Sequence, residues 1–71
     1  MSKPKNAIRA LREKARKTRR QLAAAVGITE SAIYLWERGS SVPSGKNLVR
    51  ALDYFRRELE RPDLQASDLL S

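Results

Sequence analysis

Residues 18–39 read TRRQLAAAVGITESAIYLWERG, and two helix starts and two helix stops are written into that stretch. Thr18 is a capping residue type, because its hydroxyl can accept from an amide that has no partner inside the helix. From Arg19 to Val26 the apolar Leu22, Ala23 and Val26 share one face, and the run of alanines favours helix. Gly27 ends that helix, since glycine alone turns left-handed without strain. After a single residue, Ile28, Thr29 caps a second helix predicted over residues 29–38. Its Ile33 and Trp36 face inward, Glu30, Ser31, Tyr34, Leu35 and Arg38 face elsewhere, and Gly39 is the stop. Two helices this close in sequence must cross. The small Ala23 lets the second rod approach the first, while Leu22, Val26, Ile28, Ile33 and Trp36 bury the angle between them. A polar ridge is then pushed outward.

Working outward toward the N-terminus, residues 1–5 form an expected flexible basic arm, because Pro4 interrupts any early helix and nothing apolar anchors it. Asn6 is a candidate cap for a first helix running to about Arg16, with Ile8, Leu11 and Ala15 on its apolar face. Toward the C-terminus, Ser40 to Pro43 is a loop. Ser44 opens a fourth helix carrying Leu48, Val49, Leu52, Phe55 and Leu59 on one side until Pro62 forbids continuation. Asp63 or Ser67 is expected to cap a last short turn holding Leu69 and Leu70. The expected fold is all-α, a compact bundle of four to five short helices. With no internal repeat or linker, residues 6–71 are expected to form a single domain following the arm.

The composition agrees and narrows the function. The chain has 71 residues, 41% hydrophobic but only 6% aromatic, which suits a small helical bundle better than packed sheets. It has no cysteine and no histidine. Disulfide staples, zinc fingers and catalysis by His or Cys are therefore excluded. No Gly-rich phosphate loop and no carboxylate group with metal-ligand spacing is present, so neither an enzyme nor a cofactor or metal is expected. The longest apolar run, Leu22 to Val26 with Ile28 beyond Gly27, is far short of the roughly 20 residues that cross a bilayer. The first residues lack the apolar core of a secretory signal, and a cytoplasmic location is expected.

The formal charge of +7 is unevenly placed. Residues 1–20 hold nine Lys or Arg against Glu13 alone, while residues 21–71 are close to neutral. So dense a cationic cluster on so small a chain points to a polyanion, nucleic acid before lipid or acidic protein.

The stretch from Ile8 to Leu52 resembles the Cro and phage-repressor type of helix-turn-helix, also called XRE-like or lambda-repressor-like. The residues carrying the resemblance are Leu11-Arg12-Glu13, Thr18, Gln21-Leu22-Ala23, Val26-Gly27-Ile28-Thr29, Ala32-Ile33, Trp36-Glu37-Arg38-Gly39 and Val42-Pro43-Ser44. The resemblance implies that Arg19 and Arg38, with the adjacent Arg20, meet phosphates or nearby base edges. It implies that Glu30, Ser31, Tyr34 and Leu35 reach base edges in the major groove. It also implies that Arg12 and Glu37 form an internal ion pair, making them structural beside Ala23, Gly27, Ile33 and Trp36. The side-chain chemistry suits the groove roles: Glu accepts from cytosine N4, Ser serves any base, and Leu packs on a thymine methyl.

The departures are equally specific. Similar proteins carry Gln where Arg19 and Glu30 stand, and Gly followed by an apolar residue where Arg16 and Lys17 stand. Past Leu52 the likeness is expected to fade.

The expected function is therefore sequence-specific binding of double-stranded DNA by a transcriptional regulator, a repressor on a palindromic operator. A homodimer is expected, because one recognition helix touches too few base pairs for useful selectivity. Leu64, Leu69 and Leu70, with Tyr54 or Phe55, are candidates for its interface, with ordinary core packing as the competing role. The alternative function is a protein-interaction module, such as an antitoxin or antirepressor with autoregulatory DNA binding.

Overall fold

Two of the helices begin and end at residues whose chemistry accounts for the boundary. In the computed structural model, which describes residues 7–70, α1 spans Ala7–Lys14, α2 Arg19–Val26, α3 Glu30–Arg38, α4 Gly45–Glu58 and α5 Ala66–Leu70. Among the described residues there is no strand. The basic arm assigned to residues 1–5 and the Asn6 cap lie outside the described residues.

Thr18 and Gln21 cap α2 reciprocally: the Gln21 amide donates to Thr18 Oγ1 at 3.0 Å, and the Thr18 amide donates to Gln21 Oε1 at 2.8 Å. Thr29 Oγ1 accepts from the Ala32 amide at the start of α3. Gly27 has φ +88° and closes α2 with its amide on the Ala23 carbonyl. Arg50, from α4, donates through Nη1 to the Val26 carbonyl at 3.3 Å, covering an acceptor that the end of α2 leaves open. A Cβ at position 27 would stand 3.5 Å from that Nη1, an ordinary contact, so it is the left-handed backbone and not crowding that calls for glycine here.

The core is a single cluster of Ile8, Leu22, Ala23, Val26, Ile33, Trp36, Ala51, Tyr54, Phe55, Leu64 and Leu69. It draws on all five helices and on the Leu64 segment that leads into α5. α2 packs on α3 and α4, while α5 closes the far side against α1 and α4.

Three expectations are corrected. Val49 is exposed (58%), and the buried face of α4 is Ala51, Tyr54 and Phe55, with Leu48, Leu52 and Leu59 packed at its edge. Val49 lies about 100° round the helix from Leu48, which carries it away from the side that Ala51 and Phe55 define. Helix α4 stops at Glu58, four residues short of Pro62; Glu60 turns left-handed (φ +51°) and the Arg61 amide closes back on the Arg56 carbonyl. Neither Asp63 nor Ser67 caps α5. Asp63 pairs with Arg61, and the start of α5 is held by Asp68, which accepts from the Gln65 amide at 2.8 Å. Ser44 does stand at the start of α4, but its side chain makes no capping bond.

The link between α1 and α2 turns on Arg16, which adopts φ +59°. Its amide returns to the Glu13 carbonyl and the Lys17 amide to the Arg12 carbonyl. A left-handed side-chain-bearing residue costs roughly 1–2 kcal/mol, of which glycine's extra freedom when unfolded gives back about 0.5–1. Arg16→Gly is expected to stabilise the fold by about 0.5–1 kcal/mol, raising Tm by about 3–6 °C in a chain of this size, as read by circular dichroism on heating.

Candidate nucleic-acid interface

Helix α3 divides cleanly into a buried and an exposed side. Ile33, Trp36 and Glu37 are buried, whereas Glu30, Ser31, Tyr34, Leu35 and Arg38 are exposed. At spacings of one, four, five and eight residues, those five side chains form one continuous strip along the helix. Tyr34 and Leu35 are 46% and 40% exposed, large apolar bodies that the fold leaves uncovered.

Arg19 and Arg20 occupy the first turn of α2, and Arg19 reaches Tyr34 of this strip. No acid shares that turn. Cations at a helix N-terminus oppose its dipole, by roughly 0.3–1 kcal/mol each, so helix stability does not account for them. Arg20 is exposed, and Arg19 is half-buried because it turns toward Glu37.

Glu37 is the one buried charged residue among those described. Arg12, from α1, grips its carboxylate with two donors, Nε to Oε2 and Nη2 to Oε1 at 3.1 Å. Arg19 adds Nε to Oε1 at 3.0 Å. The Glu37 side chain is only 3% exposed, against 12% for Arg12 and 40% for Arg19. Burial pushes the Glu37 carboxyl up, but the hydrogen bonds from Arg12 and Arg19 outweigh it and hold the group below its ordinary value. The same pairing raises Arg12, whose Nη1 also donates to the Lys17 carbonyl just beyond the Arg16 turn.

Sequence reasoning placed Arg12 beside Glu37 but missed the bond from Arg19. The available signal was an acid at position 37, one residue from Trp36 on the inward face, with more cations nearby than Arg12 alone. Arg19 and Arg38 also approach the Tyr34 ring, with guanidinium carbons 5.3 and 5.7 Å from its centre. Arg9, Arg19, Tyr34, Glu37 and Arg38 line a cavity of about 240 Å³ where α1, α2 and α3 meet.

The patch expected to join two copies is not on the surface. Leu64, Leu69, Tyr54 and Phe55 are all in the core, and only Leu70 stays exposed at 44%. Among the described residues no group of acids could hold a metal, and no helix is long and apolar enough to cross a membrane.

Because Glu37 is held below its ordinary value of 4.5, the ionised form favours the folded state. That stabilisation is complete above the unfolded value and is lost as pH falls through the folded one. Glu37→Gln is expected to cost about 3 kcal/mol at pH 7, since it leaves Arg12 without its charged partner. Between about pH 5 and 3 the variant's Tm should fall less steeply than the parent's. Parallel melting curves across that range would show that the carboxylate contributes nothing as a charge.

The family model described as Helix-turn-helix matches residues 8–61. It reaches nine residues past Leu52, so the likeness extends through α4 and the turn after it. No curated protein and no solved structure matches the chain. Five helices without a strand among the described residues, an inner turn at Gly27 and an exposed strip on α3 agree with that family's fold. The chain belongs to the helix-turn-helix family of the Cro and phage-repressor type, a family of DNA-binding regulatory domains.

Proposed function

We propose that this protein is a sequence-specific regulator of transcription, a repressor that lays α3 in the major groove of double-stranded DNA. The observation that carries this reading is the outer strip of α3, Arg38 included, with Arg19 against its Tyr34 while the inner face is locked into the core. Glu30, Ser31, Tyr34 and Leu35 offer an acceptor, two hydroxyls and an apolar contact, the kinds of group that distinguish base edges. The arginines supply charge that attracts phosphate whatever the sequence.

The target is a palindromic operator occupied by two copies, in the cytoplasm. This rests on the geometry of the duplex: one short helix spans few base pairs, and a second half-site roughly 34 Å away multiplies the selectivity. The second reading, a protein-interaction module that also binds its own operator, draws on Val42 and Val49, which are 63% and 58% exposed. Apolar side chains so exposed can be covered by a partner.

The test is a salt titration on a mixed-sequence duplex, followed by selection of bound sequences from a random pool. Affinity is expected to fall with salt at about 0.9 log units per neutralised phosphate, and the selected consensus is expected to be palindromic. A flat salt response would reject DNA binding in favour of the protein partner. Glu30→Ala with Ser31→Ala should narrow the gap between the selected operator and random DNA while leaving the salt slope unchanged. Arg38→Ala should weaken both duplexes alike and lower the slope by about 1.

A further inference from the structure

Tyr34 sits where two cations meet. Arg19 reaches its ring from the first turn of α2, and Arg38 from the next turn of α3, both inside the roughly 6 Å within which a ring face attracts a guanidinium. Like charges on long side chains otherwise spread apart into water. Here both lie against one ring and line one cavity beside it.

Glu37 fixes the Arg19 end. It occupies Nε at 3.0 Å, and among the described residues the terminal amino groups of Arg19 hold no hydrogen bond. Arg38 has no carboxylate partner among the described residues; Tyr34 is its neighbour. Around this point Arg9, Arg12, Arg19 and Arg38 outnumber Glu13 and Glu37 by two charges. Of these, Arg9, Arg19 and Arg38 line the cavity beside Tyr34.

We infer that Tyr34 is a positioning residue whose ring gathers Arg19 and Arg38 into a two-pronged seat for one backbone phosphate of the duplex. This rests on the DNA-binding reading above and moves the ring of Tyr34 from base recognition to phosphate capture. Two arginines already brought together lose less freedom on binding than two that must be collected from solvent. An aliphatic residue at position 34 would keep the helix and lose the gathering. Phenylalanine would keep the gathering and lose only the hydroxyl.

The test compares the parent, Tyr34→Phe, Tyr34→Leu, Arg38→Ala and the double variant Tyr34→Leu/Arg38→Ala. Fluorescence anisotropy on a mixed-sequence duplex, from about 50 to 200 mM salt, gives affinity and slope. Tyr34→Phe should stay within about twofold of the parent. Tyr34→Leu should bind every duplex about threefold to fivefold more weakly, with a slope lower by up to about 0.9. The double variant should fall within about twofold of Arg38→Ala, because the two losses share one interaction.

Three results overturn the inference: Phe as damaging as Leu, an unmoved slope in Tyr34→Leu, or multiplicative losses in the double variant. A readout without DNA separates it from the function it rests on. In the free protein the δ-methylene protons of Arg19 and Arg38 should be shifted upfield by the ring, and Tyr34→Leu should abolish the shift. Unshifted protons in a parent that still binds duplex would overturn the gathering alone, whereas a parent that ignores duplex DNA defeats both. Tyr34 is 46% exposed, so each variant is expected to fold, which its melting curve checks.

Discussion

A carboxylate withdrawn from water has to be paired or neutralised, and Glu37 is paired from two directions. The helices it ties are short: α1 and α2 have eight residues and α3 has nine, lengths at which an isolated helix in water is marginal. Apolar burial of Ile8, Leu22 and Ile33 holds them together but is indifferent to direction. The guanidinium bonds are directional. Turning α1 about its axis, or sliding α2 along α3, would strand a charge in the core. Arg12 extends the constraint to the Lys17 carbonyl, so the strained turn at Arg16 is held from the same point.

The acid that fixes the body also fixes part of the exposed face beside α3, because Arg19 touches both. Its Nε faces inward to Glu37 and its guanidinium carbon lies near the Tyr34 ring. Under the proposed DNA-binding role, stability and affinity are therefore not separate properties of separate residues at this corner. In that role a substitution at Glu37 would act on the duplex through Arg19, whereas one at Arg19 acts on the core through its bond to Glu37. Arg20 and Arg38 carry no such double duty among the described residues, which makes them cleaner reporters of phosphate contact.

The parts of this fold that were legible in the sequence are those decided within four or five residues. Thr18 with Gln21, Thr29 with Ala32, and the left-handed glycines at 27 and 39 bound α2 and α3 where local chemistry puts them. What was illegible depended on distant partners or on which of several apolar residues wins the interior. The Arg19 bond to Glu37 spans 18 positions, and no local pattern signals it. Leu64 and Leu69 looked free to join another copy because the sequence does not show that α5 folds back onto α1 and α4. Val49 looked internal because it follows Leu48, whereas the bulk of Tyr54 and Phe55 sets which side of α4 faces the core. Arg16 stands where glycine would be expected, and the helix breaks there all the same, because Arg12 and Lys17 tie down both sides of the turn.

The contact between Arg50 and the Val26 carbonyl gives the bundle a mechanical property. It places a cation from α4, which packs against α2, on the negative pole of the helix that leads into the turn at Gly27. The end of α2, from which α3 departs, is thereby tied to the fourth helix as well as to its own packing. Removing that side chain would uncover the last carbonyl of α2 at the point where the chain turns into α3.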